Sequence, residues 1–466
     1  MNERVTVLVP ESAAPTRLQV VGEWMRDHRG TIQAIQWIVV VFYLVLLVWP
    51  ALLPLPTEYA HFYENLVLFA QFVFWGLWWP FVMVATMLFG RIWCGVFCPE
   101  GALTEWASRH GRGGAIPKWM RWGGWPFTAF VLTTVYGQLV SVYEYPKAAL
   151  LILGGSTIAA MVVGFLYGRG KRVWCRYLCP ANGVFALLSR LAPVHFRVNR
   201  ERWRQASHRI PAVDCAPLIN IRNMQGNSAC HMCGRCSGHR DAVTLAARSP
   251  NAEILSAGEK DVSAWDALLL SFGLLGVAIG AFQWSASPWF VQMKQAVATW
   301  LIERGIYWPL GDSAPWWLLT HYPETNDVFT WLDGALILLY IGASALAIGG
   351  ALLLALRLAG WLLGRRAMPW RLAYGFIPLG GISVFLGLSA LTVSLFKAER
   401  LDLGWVPGAR AALLVVALLW SGRLLWRLLG AETAAVPLLC RTAAWLGLMA
   451  AAGLVVGSWV EMFFLW

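Results

Sequence analysis

Charge is scarce in this sequence. Asp, Glu, Lys and Arg make up 13% of its 466 residues against 58% hydrophobic ones, where a soluble domain carries about 25% charged residues. An ordinary soluble enzyme is thereby excluded. Histidine is sparse too: the eight (28, 61, 110, 195, 208, 231, 239 and 321) all lie outside the centres of the long apolar runs, so no bis-histidine haem is expected inside a bilayer. No G-x-x-x-x-G-K-[ST] loop or G-x-G-x-x-G fingerprint opens a soluble unit, leaving nucleotide-driven transport and direct NAD binding without support. No ionisable side chain occupies the centre of a run, which argues against an ion channel or a proton-coupled carrier. Acids are the rarer sign, 25 against 37 Lys and Arg, for a net charge of +12. In a soluble chain such a balance points to nucleic acid, so the positions of the charges have to decide its meaning.

What the chain has in quantity is apolar length. A helix rises about 1.5 Å per residue, so about 20 apolar residues cross a hydrocarbon core of about 30 Å. Nine runs qualify: Ile32–Leu53, Leu66–Phe89, Trp125–Val142, Ala148–Tyr167, Ala267–Trp284, Gly334–Leu356, Leu372–Phe396, Ala411–Leu429 and Thr442–Phe464. They predict an all-α polytopic membrane protein of about nine transmembrane helices. The first run follows a polar stretch without a short apolar core and cleavage site, so it reads as an anchor. With the N-terminus inside, segments 1–31, 90–124, 168–266, 357–371 and 421–441 hold 31 Lys and Arg and 14 acids, leaving 6 and 11 for the rest. The excess of base is then an orientation signal and not a nucleic-acid site. It predicts a bacterial inner-membrane protein with a cytoplasmic N-terminus and, after nine crossings, a periplasmic C-terminus. Trp78, Trp79, Trp289, Trp316 and Trp317 suit interfacial belts. The expected organisation is a cytoplasmic segment 1–31, a four-helix membrane region 32–167, a cytoplasmic segment 168–263 and a C-terminal membrane region 264–466.

Eight of the nine cysteines precede residue 262. Four belong to an internal repeat, Arg91-Ile-Trp-Cys94-Gly-Val-Phe-Cys98-Pro99 and Arg172-Val-Trp-Cys175-Arg-Tyr-Leu-Cys179-Pro180. Two spans intervene, so both copies are expected at the same, inner, membrane edge. The C-x3-C spacing sets two thiols at i and i+4 on one side of a helical turn, and Pro99-Glu100 is suited to start the next helix. Four soft thiolates at Cys94, Cys98, Cys175 and Cys179 fit a second iron–sulfur cluster, a copper or zinc ion, or a dithiol switch. Cys440, alone near the start of the last run, reads as packing.

The polar segment contains Cys230-His-Met-Cys233-Gly-Arg-Cys236. Three cysteines so closely spaced wrap three corners of an iron–sulfur cube, whereas structural zinc normally takes two separated pairs. A bacterial ferredoxin would place a fourth Cys where Arg240 stands here. Cys215, followed by Ala216-Pro217, sits where the last Cys of a degenerate preceding motif would fall, so one 4Fe-4S cluster is expected on Cys215, Cys230, Cys233 and Cys236. Zinc with His231 or His239, and a cluster with an open or non-cysteine fourth corner, are the alternatives. Arg209, Arg222, Arg235 and Arg240 would offset cluster charge or merely mark the inner face.

Paired C-x3-C-P motifs at the inner ends of membrane helices, followed by a ferredoxin-like cysteine run, resemble the polyferredoxin-type membrane proteins of the NapH, NosR and CcoG group. The resemblance covers roughly residues 66 to 250. It implies electron delivery to periplasmic reductases, N-oxide respiration, or copper or iron handling, with a ferredoxin, flavoprotein or quinol as donor and a periplasmic protein or metal ion as acceptor. The chain has one ferredoxin motif where several of that group have two, lacks a large N-terminal flavin-binding domain, and carries extra C-terminal spans. A redox sensor or metal-handling assembly factor without sustained electron flow would use the same residues.

Overall fold

The computed structural model describes residues 16–57, 59–206, 211–258, 261–364, 368–432 and 436–466. In a solvent without hydrogen-bonding partners a chain must satisfy its own amides, so long apolar runs become helices. Among the described residues eight helices are long and apolar enough to cross a membrane. In chain order, a polar helix α1 (Arg17–Asp27) leads into the span α2 (Arg29–Leu52). The span α3 (Leu66–Phe89) follows, then α4 (Pro99–Arg109), α5 (Trp125–Leu139) and the span α6 (Pro146–Tyr167). Two short helices, α7 (Val173–Tyr177) and α8 (Asn182–Leu188), enter the polar segment. The second half holds spans α9 (Ala264–Ala286), α11 (Trp331–Leu362), α12 (Pro369–Ala398), α13 (Val406–Gly430) and α14 (Leu438–Leu465), with α10 (Pro288–Glu303) lying between α9 and α11.

The ninth expected crossing is α5, shorter than the rest. Its 15 residues rise about 22 Å, less than a full hydrocarbon core, yet it links the two ends of the bundle. Near its start Trp122 packs edge-on against Trp265 at 5.0 Å. At its far end Gln138 accepts from the Trp284 indole at 2.7 Å, and the Leu139 carbonyl accepts from Thr320 N–H at 2.8 Å.

The C-terminal spans are not an appendage. Leu270 and Leu274 of α9, Leu356 of α11, Ile377 of α12, Leu424 of α13 and Trp459 of α14 share one core with Leu188 of α8 and with Cys94. Asp333 anchors the start of α11 through a reciprocal capping box with Thr330, and Asp266 accepts from the Tyr374 hydroxyl at 2.8 Å, so both acids fasten helix ends.

The polar segment is built on a two-stranded antiparallel sheet, β1 (Val194–Val198) with β2 (Val243–Ala247), in register Phe196 to Leu245. Phe196, Val243 and Leu245 face Ile221, Met224, Cys230 and Met232 in a small core. Helix α1 closes it: a side chain at Gly22 would strike Ser237 and Leu245, and Arg26 donates to the Ser237 carbonyl at 3.2 Å. The lobe that carries the cysteine run is thus completed by the polar stretch ahead of the first span.

Candidate functional site

Chain reversal at the end of α3 positions the first repeat copy. Gly90 has φ +67°, and a Cβ there would meet the Asn227 amide at 2.9 Å, so glycine permits both the left-handed turn and the close packing. Beyond it the chain turns back into the bundle. Residues Trp93–Phe97 form a widened, π-type turn, closed by the Cys98 N–H on the Trp93 carbonyl at 2.9 Å. In the second copy the Cys179 N–H bonds the Trp174 carbonyl at 3.0 Å in the same way. The simple i, i+4 turn read from the C-x3-C spacing is therefore one residue wider at its close. Pro99 then starts α4, as its position after Cys98 predicts, and the Cys98 sulfur caps that helix by accepting from Gly101 N–H at 3.4 Å.

The depth of this copy departs from expectation. Helix α4 runs beside the C-terminal half of α6: Glu100 bonds Ser156, Thr104 Oγ1 donates to the Ala160 carbonyl at 2.7 Å, and Arg112 N–H reaches the Phe165 carbonyl at 2.7 Å. Ser156 is 11 residues before the end of α6, about 17 Å of helix rise. From α2, Gln36 donates to the Gly95 carbonyl at 2.8 Å, and Tyr43, near the middle of that span, is in electrostatic range of Glu100 and Cys98. Cys98 thus lies about halfway along the spans and not at their inner edge. Irregular backbone is tolerated at such depth when protein surrounds it. Trp78 is corrected by the same geometry: it is no interfacial belt residue but packs on Trp93 with ring centres 4.9 Å apart.

The two copies converge. Cys98 lies within electrostatic range of Cys175 and Cys94. Cys179 is raised by burial, with Glu100, Cys175, Cys98 and Cys94 acting on it. Cys175 is pushed up to about 12 by burial, against which Arg172 and Arg91 pull down. Those two arginines are the duplicated ones of the repeat, Arg172 1% and Arg91 2% exposed. Each reaches across to the other copy. Arg91 donates to Asn182 Oδ1 at 2.7 Å and to the Ser228 carbonyl at 2.9 Å. Arg172 donates to Glu105 Oε2 at 2.9 Å and to the Cys94 carbonyl, while its backbone N–H bonds the Ala216 carbonyl at 2.8 Å. Glu105 also takes Arg235 at 2.6 Å and Arg109 at 3.0 Å. Burial alone would raise its carboxyl, but Arg172 and Arg235 hold it down at about 2.

The second cysteine group gathers beside the first. Cys215, Cys230, Cys233 and Cys236 line one small recess with Phe196, Ile221 and Met224. Burial pushes Cys230 up to about 12, with Cys233 and Cys215 adding to it. Cys236 is driven well up by burial and then by Cys230, Cys233 and Cys215. All eight thiols are free of disulfides. The groups meet at Gly95, where an added Cβ would lie 2.1 Å from the His231 carbonyl oxygen and 2.9 Å from the Cys233 nitrogen.

Several residues here escape a reading of the sequence. Gln36, Gly95, Glu105 and Asn182 act through contacts far along the chain, and only the doubled Arg hinted at them. Of the arginines named beside the cluster run, Arg235 joins Glu105 and Arg240 lies over the Trp203 ring at 5.4 Å, while Arg209 lies outside the described residues. Among the described residues no three His, Cys, Asp or Glu side chains converge closely enough to hold a single metal ion. Buried donors are left over: Arg91 Nε, Arg172 Nη2 and His231 Nδ1 have no partner. Clustered free thiols with unpaired cationic donors nearby suit a group that is anionic and larger than one ion.

Comparison with known proteins follows this geometry. The family model described as 4Fe-4S binding domain matches residues 71–117 and 151–199, so each stretch contains one copy of the cysteine repeat. Over those two stretches, and in its membrane fold, the chain is similar to polyferredoxin-like 4Fe-4S membrane proteins. Among curated proteins the chain is similar to "Putative electron transport protein YccM" of Escherichia coli (strain K12), 22% identical over 228 residues. The similar region covers 42% of this chain and 62% of that protein. No solved structure matches the chain.

Proposed function

We propose that the protein carries electrons through two adjoining iron–sulfur sites, from a cytoplasmic or membrane donor toward a periplasmic reductase or metal-ion acceptor. Cys215, Cys230, Cys233 and Cys236 hold one 4Fe-4S cluster in the polar lobe; Cys94, Cys98, Cys175 and Cys179 hold a second within the bundle. The observation that carries this reading is the close backbone approach of Gly95 to Cys233, which sets the polar lobe with its cysteine run against the first copy of the repeat. Thiols that line a recess without converging on one ion position suit a cube better than zinc or copper. Each cluster, when bound, supplies a one-electron store.

The protein's own groups supply the rest. Arg91 and Arg172 set positive charge beside thiolates that burial would otherwise keep protonated. Glu105 fixes Arg172 and Arg235 in place between the groups. Phe196, Ile221 and Met224 keep water from the lobe recess. The basic face of the lobe, which includes Arg197, Arg200, Arg202 and Arg204, suits an acidic donor protein, with the lobe cytoplasmic and the membrane the bacterial inner one.

Anaerobic purification tests the assignment. About eight iron atoms per chain are expected, about four for each cube, with Cys94→Ser and Cys236→Ser each removing about half. In vesicles, Cys98→Ser should stop donor-dependent reduction of an enclosed acceptor while the lobe cluster remains reducible. Iron-free protein that retains zinc overturns the proposal.

A further inference from the structure

The end of the bundle opposite the cysteines opens into a cavity of about 490 Å³, within the range of about 300–1,000 Å³ that small-molecule sites occupy. Its aromatic walls come from three places: Trp75 of α3, Phe282 and Trp284 of α9, and Tyr143 of the loop that follows α5. The Trp284 indole donates to Gln138 at 2.7 Å, and Trp75 packs on Tyr143 with ring centres 4.7 Å apart, so these rings are held in place by the protein itself. Two carboxylates share the wall, Glu144 beside Tyr143 and Asp327 in the loop ahead of α11, and among the described residues no Lys, Arg or His lines it.

The two acids are placed differently. Asp327 is held: it accepts from the Tyr145 hydroxyl at 2.7 Å, and the Tyr145 ring stacks at 3.6 Å on Tyr322, the residue paired with Asp327 across a short hairpin. Glu144 is not: its carboxylate has no hydrogen-bond or ion-pair partner among the described residues, and loss of water, then the Asp327 charge, push it above its ordinary value. Two like charges on one wall repel until an opposite charge joins them. The segments on this side of the membrane hold 11 acids against 6 bases, a field that draws a cation toward the opening.

We propose that this cavity binds an organic cation, an amine or quaternary ammonium with an apolar body, its charge beside Glu144 and Asp327 and its body among Trp75, Tyr143, Phe282 and Trp284. Aromatic faces attract such a cation and cover its carbon surface. A hydrated metal ion would use the carboxylates and not the rings, and among the described residues no three ligating side chains converge to hold one. An acyl chain or an uncharged ring leaves both carboxylates unmet. Glu144 and Asp327 lie outside the stretches matched by the 4Fe-4S model. The inference goes beyond the redox reading and uses none of its cysteines.

Full-length protein, purified anaerobically into phosphatidylcholine nanodiscs and titrated with benzyltrimethylammonium by equilibrium dialysis, tests it. Saturable binding of a single cation per chain is expected, and neopentylbenzene, which has the same shape without the charge, should not displace it. Glu144→Gln and Asp327→Asn should each weaken binding about tenfold or more, the loss of one charged contact, with iron per chain unchanged. Ser394→Trp, which fills the cavity from an exposed position on its wall, should abolish it. No saturable binding, unchanged affinity in either carboxylate variant, or equal displacement by neopentylbenzene overturns the inference. Stronger displacement by zinc ions overturns it too, since the two acids would then serve a metal.

Discussion

Gly95 and Cys233 touch backbone to backbone, although 138 positions separate them in the chain. The contact leaves no room for a side chain: a Cβ at 95 would stand 2.1 Å from the His231 oxygen. Backbone lies on both sides, so no flexible side chain can move aside. Gly95→Ala is expected to pry the polar lobe from the bundle and lower iron per chain together with the thermal midpoint. Gly155→Ala, in a helix with nothing within 4 Å of its added carbon, is the control, and helix propensity favours it by up to about 1 kcal/mol. Equal behaviour of the two variants would show that the contact is not required.

Arg172 and Glu105 form a buried ion pair, 1% and 5% exposed at the side chain. Breaking such a pair from one side leaves an uncompensated charge, at a cost of about 3–5 kcal/mol. Glu105→Leu, which strands the buried Arg172 guanidinium, should therefore lower the denaturation midpoint more than the double variant Arg172→Met, Glu105→Leu. If the single and double changes instead add as independent effects, the pair is not coupled and the cross-link between repeat copies has no energetic weight.

The same carboxylate sets an acid limit. Its folded value of about 2 lies below the ordinary 4.5 because Arg172 and Arg235 outweigh burial. A depressed carboxyl stabilises the folded state above its unfolded pKa and loses that contribution as pH falls toward the folded value. Stability measured by unfolding in detergent should thus decline between about pH 4.5 and 2. In Glu105→Gln this part of the decline should vanish, with lower stability at neutral pH; an unchanged acid profile would sink the assignment.

How far the sequence reaches can be judged from these residues. The spans were legible because apolar length is a local property, and the duplicated Arg, Trp, Cys and Pro were legible because repetition is visible in one dimension. The doubled Arg also proved more than an interfacial marker, since Arg91 and Arg172 each bind the opposite copy. Depth was not legible. A motif following a span is read as surface, but Gly90 reverses the chain and α4 packs into the interior. Hydropathy cannot register a re-entrant turn whose polar groups are met by Gln36, Ser156 and the arginines. Nor does Trp78 announce that its partner is Trp93.

The short helix α5 carries the orientation of everything after it. If its 15 residues complete a crossing, the total is nine and four crossings return the cysteine lobe to the side of the N-terminus; without it, the two lie on opposite sides. The contacts favour a crossing, since Trp122 meets Trp265 at the lobe end and Leu139 meets Thr320 at the other. The hydrocarbon left uncovered by a rise of about 22 Å is accommodated by local thinning at modest cost. The charge distribution agrees, with 31 of 37 Lys and Arg in segments on the lobe side. Fusions truncated after Tyr143 should make a phosphatase that folds only outside the cytoplasm active and leave a cytoplasm-dependent fluorescent protein dark, while fusions truncated after Lys118 should do the reverse. Matching signals at both positions would mean that α5 does not cross.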